Sequence, residues 1–403
     1  MTLRILHVSQ SINPKHGGPI EGIRQQAKEH ALQGHVVELV CLDIPNSPHL
    51  PLPGIKVYPL IENSFDYFFP FSLVKWLRLY HHNYDAVIIN GIWGFHMLAC
   101  WLALRNCNTP YFVFTHGMLD PWFRRTYPFK HFKKWLIWPW AIYPVLRDAS
   151  SILFTCEREK TLARHSFWLY DCFETVIAYG TEGIPHPMEN SYSKFLSDHP
   201  YLSHKQLILF LGRVHPKKGA DLLVRAVHAL KGEGIWNSAQ VCLVMAGPAD
   251  SIYARELIKL ADEIGVSDSI YWTGMISGQE KWGAFQAADA FILPSHQENF
   301  GIAVAEALSC GTPVLISSSV NIAPEIAADG AGFVESDTLH GTTKLIRRWL
   351  SLGTKDKLAM RLLARSSFVN RFHISNTTKS IQKTILLALL ERAVHQPSLH
   401  LSR

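Results

Sequence analysis

The sequence predicts an α/β protein of two Rossmann-like, doubly wound units facing each other across a cleft, and three observations predict it. Short apolar runs of strand length alternate with stretches of helical period along nearly the whole chain, the pattern of parallel sheets covered on both faces. The chain has 403 residues and is 48% hydrophobic, enough for two ordinary domains, each with its own core. The alternation lapses once, across 184–204, where Pro, Ser, Asn, His and Tyr gather. The expected boundaries are therefore 1–183 for the first unit, 184–204 for a linker and 205–370 for the second unit. The remaining segment, 371–403, is expected to be a helix that packs back on the first unit.

In chain order, Arg4–Ser9 is a strand, followed by a loop carrying Gly17-Gly18 and a helix closed by Gly34. His35–Leu42 and Ile55–Leu60 are further strands; Phe71–His82 suits a helix, Ala86–Asn90 a strand and Trp93–Arg105 a helix. Tyr111–Thr115, Ser151–Thr155 and Phe173–Ala178 complete the strands of the first half. In the second half Leu207–Leu211 is a strand, and Asp221 is expected to cap a helix with Leu222, Leu223, Ala226, Val227 and Leu230 on one face. Strands follow at Val241–Ala246, Ile270–Trp272, Ala290–Leu293 and Val314–Ile316. Thr342–Leu350, Lys355–Val369 and Thr377–Val394 are helical.

The net charge of +6 is modest and suits an anionic small molecule or membrane surface; nucleic acid is not an expected partner. Seven scattered cysteines without any C-x-x-C argue against a disulfide framework and for a reducing, cytoplasmic setting. The N-terminus opens a strand and is not a signal peptide. The uncharged run from Ala86 to Leu104 is broken by Asn90, Gly91, Gly94 and His96, so a strand, a turn and a buried helix are expected in place of a membrane span.

Chemistry concentrates at the carboxyl ends of predicted strands, where doubly wound sheets bind ligands. After Ala290–Leu293 the chain runs Pro294-Ser295-His296-Gln297-Glu298-Asn299-Phe300-Gly301-Ile302-Ala303 into a helix expected to begin near Phe300 or Gly301. A helix N-terminus offers unpaired N–H groups and partial positive charge to phosphate. Glu298 and Glu306 flank that first turn, and carboxylates accept hydrogen bonds from sugar hydroxyls. Leaving Leu207–Leu211, Arg213 and Lys218 can clamp a diphosphate, the first as a fork and the second as a point charge. His116-Gly117 follows Tyr111–Thr115, a glycine there allowing close approach of a ligand. Gly17 and Gly18 follow the first strand but form no G-x-G-x-x-G, which argues against a nicotinamide or flavin enzyme.

Together these motifs resemble the retaining, two-domain GT-B glycosyltransferases of family four, the glycosyl transferases group 1, over nearly the whole chain. The resemblance implies that Arg213 and Lys218 hold the donor diphosphate and Glu306 the donor ribose. It implies that Glu298, with the backbone from Asn299 through Phe300, Gly301 and Ile302 to Ala303, meets the transferred sugar and phosphates. His116 would sit at the reaction centre, Gly17 and Gly18 would line the cleft, and Thr273-Gly274 would lie where the nucleobase rests. The first unit becomes the acceptor side and the second the nucleotide-sugar side. The substrate would be a UDP- or GDP-sugar, with no cofactor, and the acceptor a saccharide or polyprenol-linked saccharide of envelope or exopolysaccharide synthesis. Two departures from the family pattern occur: Tyr179-Gly180-Thr181 replaces a common Asn-Gly, and Asn321-Ile322-Ala323-Pro324 replaces a glycine pair before Glu325.

A nucleoside diphosphate is already a good leaving group, so no raised-pKa carboxylic acid of the glycosidase kind is required. No metal-ligand spacing is found, and a metal-independent reaction is expected. Residues 122–146 mix Arg124, Arg125, Lys130, His131, Lys133 and Lys134 with Trp122, Phe123, Tyr127, Phe129, Phe132, Trp135, Trp138 and Trp140. That composition suits either a peripheral contact with the inner membrane face or a buried helix with a solvated edge, Pro139 and Pro144 interrupting a long amphipathic helix. Two rival functions remain: a nucleotide-sugar epimerase of similar two-domain fold, and a non-catalytic nucleotide-sugar-binding subunit.

Overall fold

The computed structural model describes residues 1–13, 18–48, 50, 52–61, 71–185 and 190–395, so Gly17 lies outside the described residues. The chain divides into two compact units, Met1–Gly180 together with the chain from Ile374, and Thr181–His373.

Unit 1 holds seven strands: β1 (Arg4–Ser9), β2 (Val36–Cys41), β3 (Lys56–Pro59), β4 (Ala86–Asn90), β5 (Tyr111–Phe114), β6 (Ser151–Phe154) and β7 (Glu174–Val176). They form one parallel sheet in the order β3-β2-β1-β4-β5-β6-β7. The chain reverses its direction of winding between β1 and β4, and such switch points open a crevice at the carboxyl ends of the two strands. Every residue of β4, β5 and β6 is buried, as expected for strands covered on both faces. Trp138 and Phe167 stack face to face in this core, ring centroids 4.0 Å apart.

Unit 2 repeats the scheme with β8 (Gln206–Leu211), β9 (Val241–Ala246), β10 (Ile270–Gly274), β11 (Ala290–Leu293), β12 (Val314–Ser317) and β13 (Gly332–Glu335), in the order β10-β9-β8-β11-β12-β13. Its switch point lies between β8 and β11, which pair in parallel through Ala290↔Ile208 and Phe291↔Leu209. The carboxyl ends of these two strands carry the Arg213–Lys218 and Glu298–Glu306 segments.

The structure differs from the sequence reading in five places. The expected linker contains a helix, Ser191–Asp198, whose buried Phe195 packs within unit 2; Ser191 Oγ donates to Gln286 Oε1 at 2.6 Å. A helix of only eight residues with mixed polarity leaves too short a periodic signal to read. Strand β13 was not anticipated, because it begins at a glycine and sits at the sheet edge. The helix after β8 is capped by left-handed Gly219 (φ 66°), and Asp221 lies in its first turn, accepting from Tyr253 Oη at 2.9 Å. The helix after β11 starts at Ile302, since Gly301 at φ 77° is outside the helical region. Residues 122–147 break into Trp122–Thr126, Pro128–Ile137, a wide turn at Trp138–Ile142 and Tyr143–Arg147, with Pro139 inside the wide turn.

The closing helix, Ile374–His395, packs on Gly18–Leu32 of unit 1. Gln33 Nε2 donates to Thr378 Oγ1 (3.1 Å), Thr377 Oγ1 to Ala178 O (2.7 Å) and Arg392 Nη1 to Asn108 O (2.7 Å). All seven cysteines are free thiols, and among the described residues no helix is long and apolar enough to cross a membrane.

Candidate functional site

In unit 2 the chain leaving β8 turns through Pro216–Lys218 and is locked to the loop leaving β11. His296 N donates to Lys217 O at 2.9 Å, and a Cβ on Gly219 would lie 2.3 Å from Pro294 O, so only glycine permits this approach. The two loops being fixed, Lys218 Nζ forms an ion pair with the Glu298 carboxylate, both side chains mostly buried. Glu298 is itself held by backbone: its N donates to Ser319 O (3.1 Å), and Asn321 N donates to its O (3.0 Å).

Beside this pair, Gly301 caps the helix Ile302–Ser309 without any side-chain hydrogen bond, leaving first-turn N–H groups available to an anion. Four residues into that helix, Glu306 accepts from Lys281 Nζ at 2.8 Å. Asn299 Oδ1 accepts from Asn321 Nδ2, and Phe300 is buried against Phe372. Arg213 is exposed, and no carboxylate pairs with it among the described residues. Thr273 and Gly274 end β10; Gly274 O accepts from Gly247 N, tying the ends of β9 and β10 together.

In unit 1 the carboxyl ends of β1, β4 and β5 surround a cavity of about 410 Å³. His116 lines it from a left-handed backbone (φ 48°) followed by left-handed Gly117 (φ 77°), a costly conformation for a histidine. The buried Glu159 carboxylate holds that turn. It accepts from Thr115 Oγ1 (2.7 Å) and Gly117 N (2.6 Å) on one oxygen, and from Thr155 N (2.7 Å) and Thr155 Oγ1 (2.6 Å) on the other. Charge-assisted bonds of this kind are the strong ones, and they offset the strain.

Asn90, the last residue of β4, sets the protonation of two histidines. Its Nδ2 lies 3.2 Å from Val8 O and from Ile88 O, which can only accept, so its Oδ1 is the atom facing His116 Nε2 at 3.1 Å. His116 therefore carries its hydrogen on Nε2, leaving Nδ1 as an acceptor. His96 Nε2 donates to Asn90 O at 3.1 Å, so its Nδ1 is an acceptor too, and it has no partner. Burial lowers the pKa of His116 and of His96 to about 4, so both are neutral at pH 7.

The comparisons with known proteins concern the family and the fold. Residues 194–364 match the family described as glycosyl transferases group 1, and residues 17–168 match the glycosyl transferase 4-like domain. Residues 194–364 belong to the glycosyl transferases group 1.

The chain is 33% identical over 185 residues to a D-inositol 3-phosphate glycosyltransferase of Actinosynnema mirum, covering 43% of this chain and 42% of that protein. The matched stretch is 28–42% of the length of such curated relatives. A glycosyltransferase of Rickettsia africae shares the fold with a TM-score of 0.74 at 17% identity, over 96% of this chain and 99% of that one. Anabaena HepE in complex with UDP-glucose does so with a TM-score of 0.72 at 17% identity, over 96% of this chain and 100% of that one. Both likenesses concern the GT-B fold.

Of the positions carried over from the resemblance, Lys218 and Glu298 are in direct contact, with Asn299, Phe300 and Gly301 on the same loop and Ile302, Ala303 and Glu306 on the helix that follows. His116 belongs to unit 1 and is organised by other residues. Gly18 begins the helix Gly18–Leu32. Sequence reasoning missed Lys281, Asn90, His96 and Glu159. A signal existed for Glu159, which stands three residues after the N-cap as in a capping box, but the cap is Cys156 where Ser or Thr is usual. Tyr179, at the first departure from the family pattern, packs edge-on to His116 with ring centroids 6.3 Å apart.

Proposed function

We propose that this protein is a retaining, metal-independent hexosyltransferase that moves a sugar from a UDP- or GDP-sugar to a saccharide or lipid-linked saccharide. The observation that carries this reading is the Lys218–Glu298 pair beside an uncapped helix N-terminus at the switch point of unit 2. In this structure the ammonium is matched by a carboxylate. A donor diphosphate would draw Lys218 and Arg213 to itself, free Glu298 for the sugar hydroxyls and place its oxygens on the first-turn N–H groups. As the glycosidic bond breaks, negative charge grows on the leaving phosphate, and these preorganised donors stabilise it. Glu306 would accept from the ribose. Neutral His116, with Nδ1 open, would accept from a hydroxyl of the transferred sugar.

The test is incubation with UDP-, GDP- and ADP-hexoses in the presence of EDTA, after a thermal-shift screen to choose the donor. Slow donor hydrolysis that Lys218→Ala abolishes supports the reading. Epimerised donor points to the epimerase instead, and binding without turnover points to a binding subunit.

The proposal includes a peripheral membrane contact through 122–146. Phe129, Phe132, Trp135, Leu136 and Trp140 are exposed on or beside the same short helix as Lys130 and Lys133, the pairing that suits an anionic bilayer surface. Co-sedimentation with phosphatidylglycerol vesicles, lost in a Lys130→Glu/Lys133→Glu double variant, tests it, and with it the cytoplasmic membrane-face location.

A further inference from the structure

Lys134 has no role in the donor chemistry, yet its setting is unusual. It projects from the helix Pro128–Ile137 into the wall of the unit 1 cavity, with Nζ 4.0 Å from the Trp93 ring centroid and 5.7 Å from that of Phe123. Among the described residues no carboxylate pairs with it, whereas Lys218 and Lys281 each have one. Burial, and then the charge of Lys130, lower its pKa to about 8. The ring faces attract a cation but supply no countercharge, so the most favourable addition to this wall is an anion.

The same cavity presents acceptors that lack donors. The His96 Nδ1 lone pair is buried and unpartnered. Gly94 explains how it stays open. A Cβ there would lie 2.4 Å from His96 Nδ1 and 2.4 Å from Gln10 Oε1, so a residue without a side chain leaves room beside both acceptors. A buried acceptor gains most from a ligand that brings its own hydroxyl donors. The cavity volume of about 410 Å³ is within the range of small-molecule pockets.

We propose that this cavity binds an anionic saccharide, a sugar bearing a phosphate or a carboxylate, with the anion on Lys134 and hydroxyls donated to His96 Nδ1 and Gln10 Oε1. That this ligand is the acceptor of the transfer rests on the function proposed above; that it binds does not.

Isothermal titration of the full chain with glucose 6-phosphate, glucuronate and glucose tests the site. At least one anionic sugar is expected to bind with a Kd of about 1 mM or tighter, at least about tenfold tighter than glucose. The tighter of the two names the anion. Lys134→Met should bring it down to the level of glucose, Lys134→Arg should keep most of it, and Gly94→Ala should weaken every sugar. Equal affinity for glucose, or unchanged anionic-sugar binding in Lys134→Met, overturns the proposal. Thermal melts check that each variant is folded, and a parallel titration with the nucleotide that gives the largest thermal shift checks the donor side. A chain that binds the anionic sugar but no nucleotide would sink the donor reading and leave this site standing.

Discussion

The two units share one strand order, yet they prepare their sites in opposite ways. Unit 2 is pre-charged: Lys218 faces Glu298 and Lys281 faces Glu306, each cation already neutralised by the carboxylate beside it. Unit 1 keeps its strand ends neutral and carries its cation, Lys134, on the cavity wall. Its strand ends hold His7, His96 and His116 in buried, uncharged form around Asn90, and the buried Glu159 carboxylate is consumed by Thr115, Gly117 and Thr155. A site of exchangeable ion pairs can hand its cations to an incoming diphosphate without a bare charge at any stage. A site of neutral acceptors suits hydroxyl groups, which need direction more than charge.

The largest effect that can break this contrast is on Lys218. Lys218→Ala should lower donor turnover by roughly 10²–10³, the value of one preorganised donor to a developing anion, measured as kcat with saturating donor. A loss confined to KM would mean that the ammonium serves binding alone.

Glu159→Gln comes next and acts on unit 1. It turns an amide NH2 toward the backbone N–H of Gly117 or of Thr155, which can only donate, and leaving one buried donor unmade costs about 1–3 kcal/mol. The melting temperature should fall by several degrees, with hydrogen exchange quickening around Thr115–Gly117 and not in unit 2. An unchanged melt would remove Glu159 as the support of the His116 turn.

Acid should then separate the units. Burial lowers the pKa of His7 and His30 to about 3 and of His96 and His116 to about 4, all in unit 1. A folded pKa below the unfolded value of about 6.5 means that the unfolded chain takes up protons first as pH falls. Stability is therefore complete above about pH 6.5 and is lost progressively down to about pH 3. Hydrogen exchange at β4 and β5 should quicken between pH 7 and pH 4.5, before any change at β11 and β12. Simultaneous loss in both units would contradict the assignment.

The smallest effect is at Lys281. Lys281→Met removes a partly exposed partner from Glu306, and such pairs contribute about 1 kcal/mol or less. Donor affinity should shift by no more than about fivefold, read by titration, with kcat unchanged.

These contrasts also explain how far the sequence could be read. Apolar period and glycine punctuation placed most strands within a residue or two, because buried parallel strands leave uninterrupted runs such as Ala86–Asn90. β13 escaped because Gly332 opens it and the run is short. The unit 2 site was legible because Glu298 and Glu306 lie on one loop–helix segment, and Arg213 and Lys218 on one turn. The unit 1 site was less so: His116 was found from its place after β5, but Asn90, His96 and Glu159 act through contacts between elements far apart in the chain, which no local spacing records. Lys281 was missed for the same reason, its partner lying on a different helix. The capping expectation at Asp221 failed because left-handed Gly219 already closes that helix.

The helix Ile374–His395 has a consequence for biosynthesis. Its contacts with Gln33, Asn108 and Ala178 belong to unit 1, yet it is translated only after the whole of unit 2. The N-terminal sheet must wait on the ribosome with the surface of Gly18–Leu32 uncovered until the chain returns to seal it. A nonsense codon just after His373 would spare every residue of unit 2 and damage unit 1.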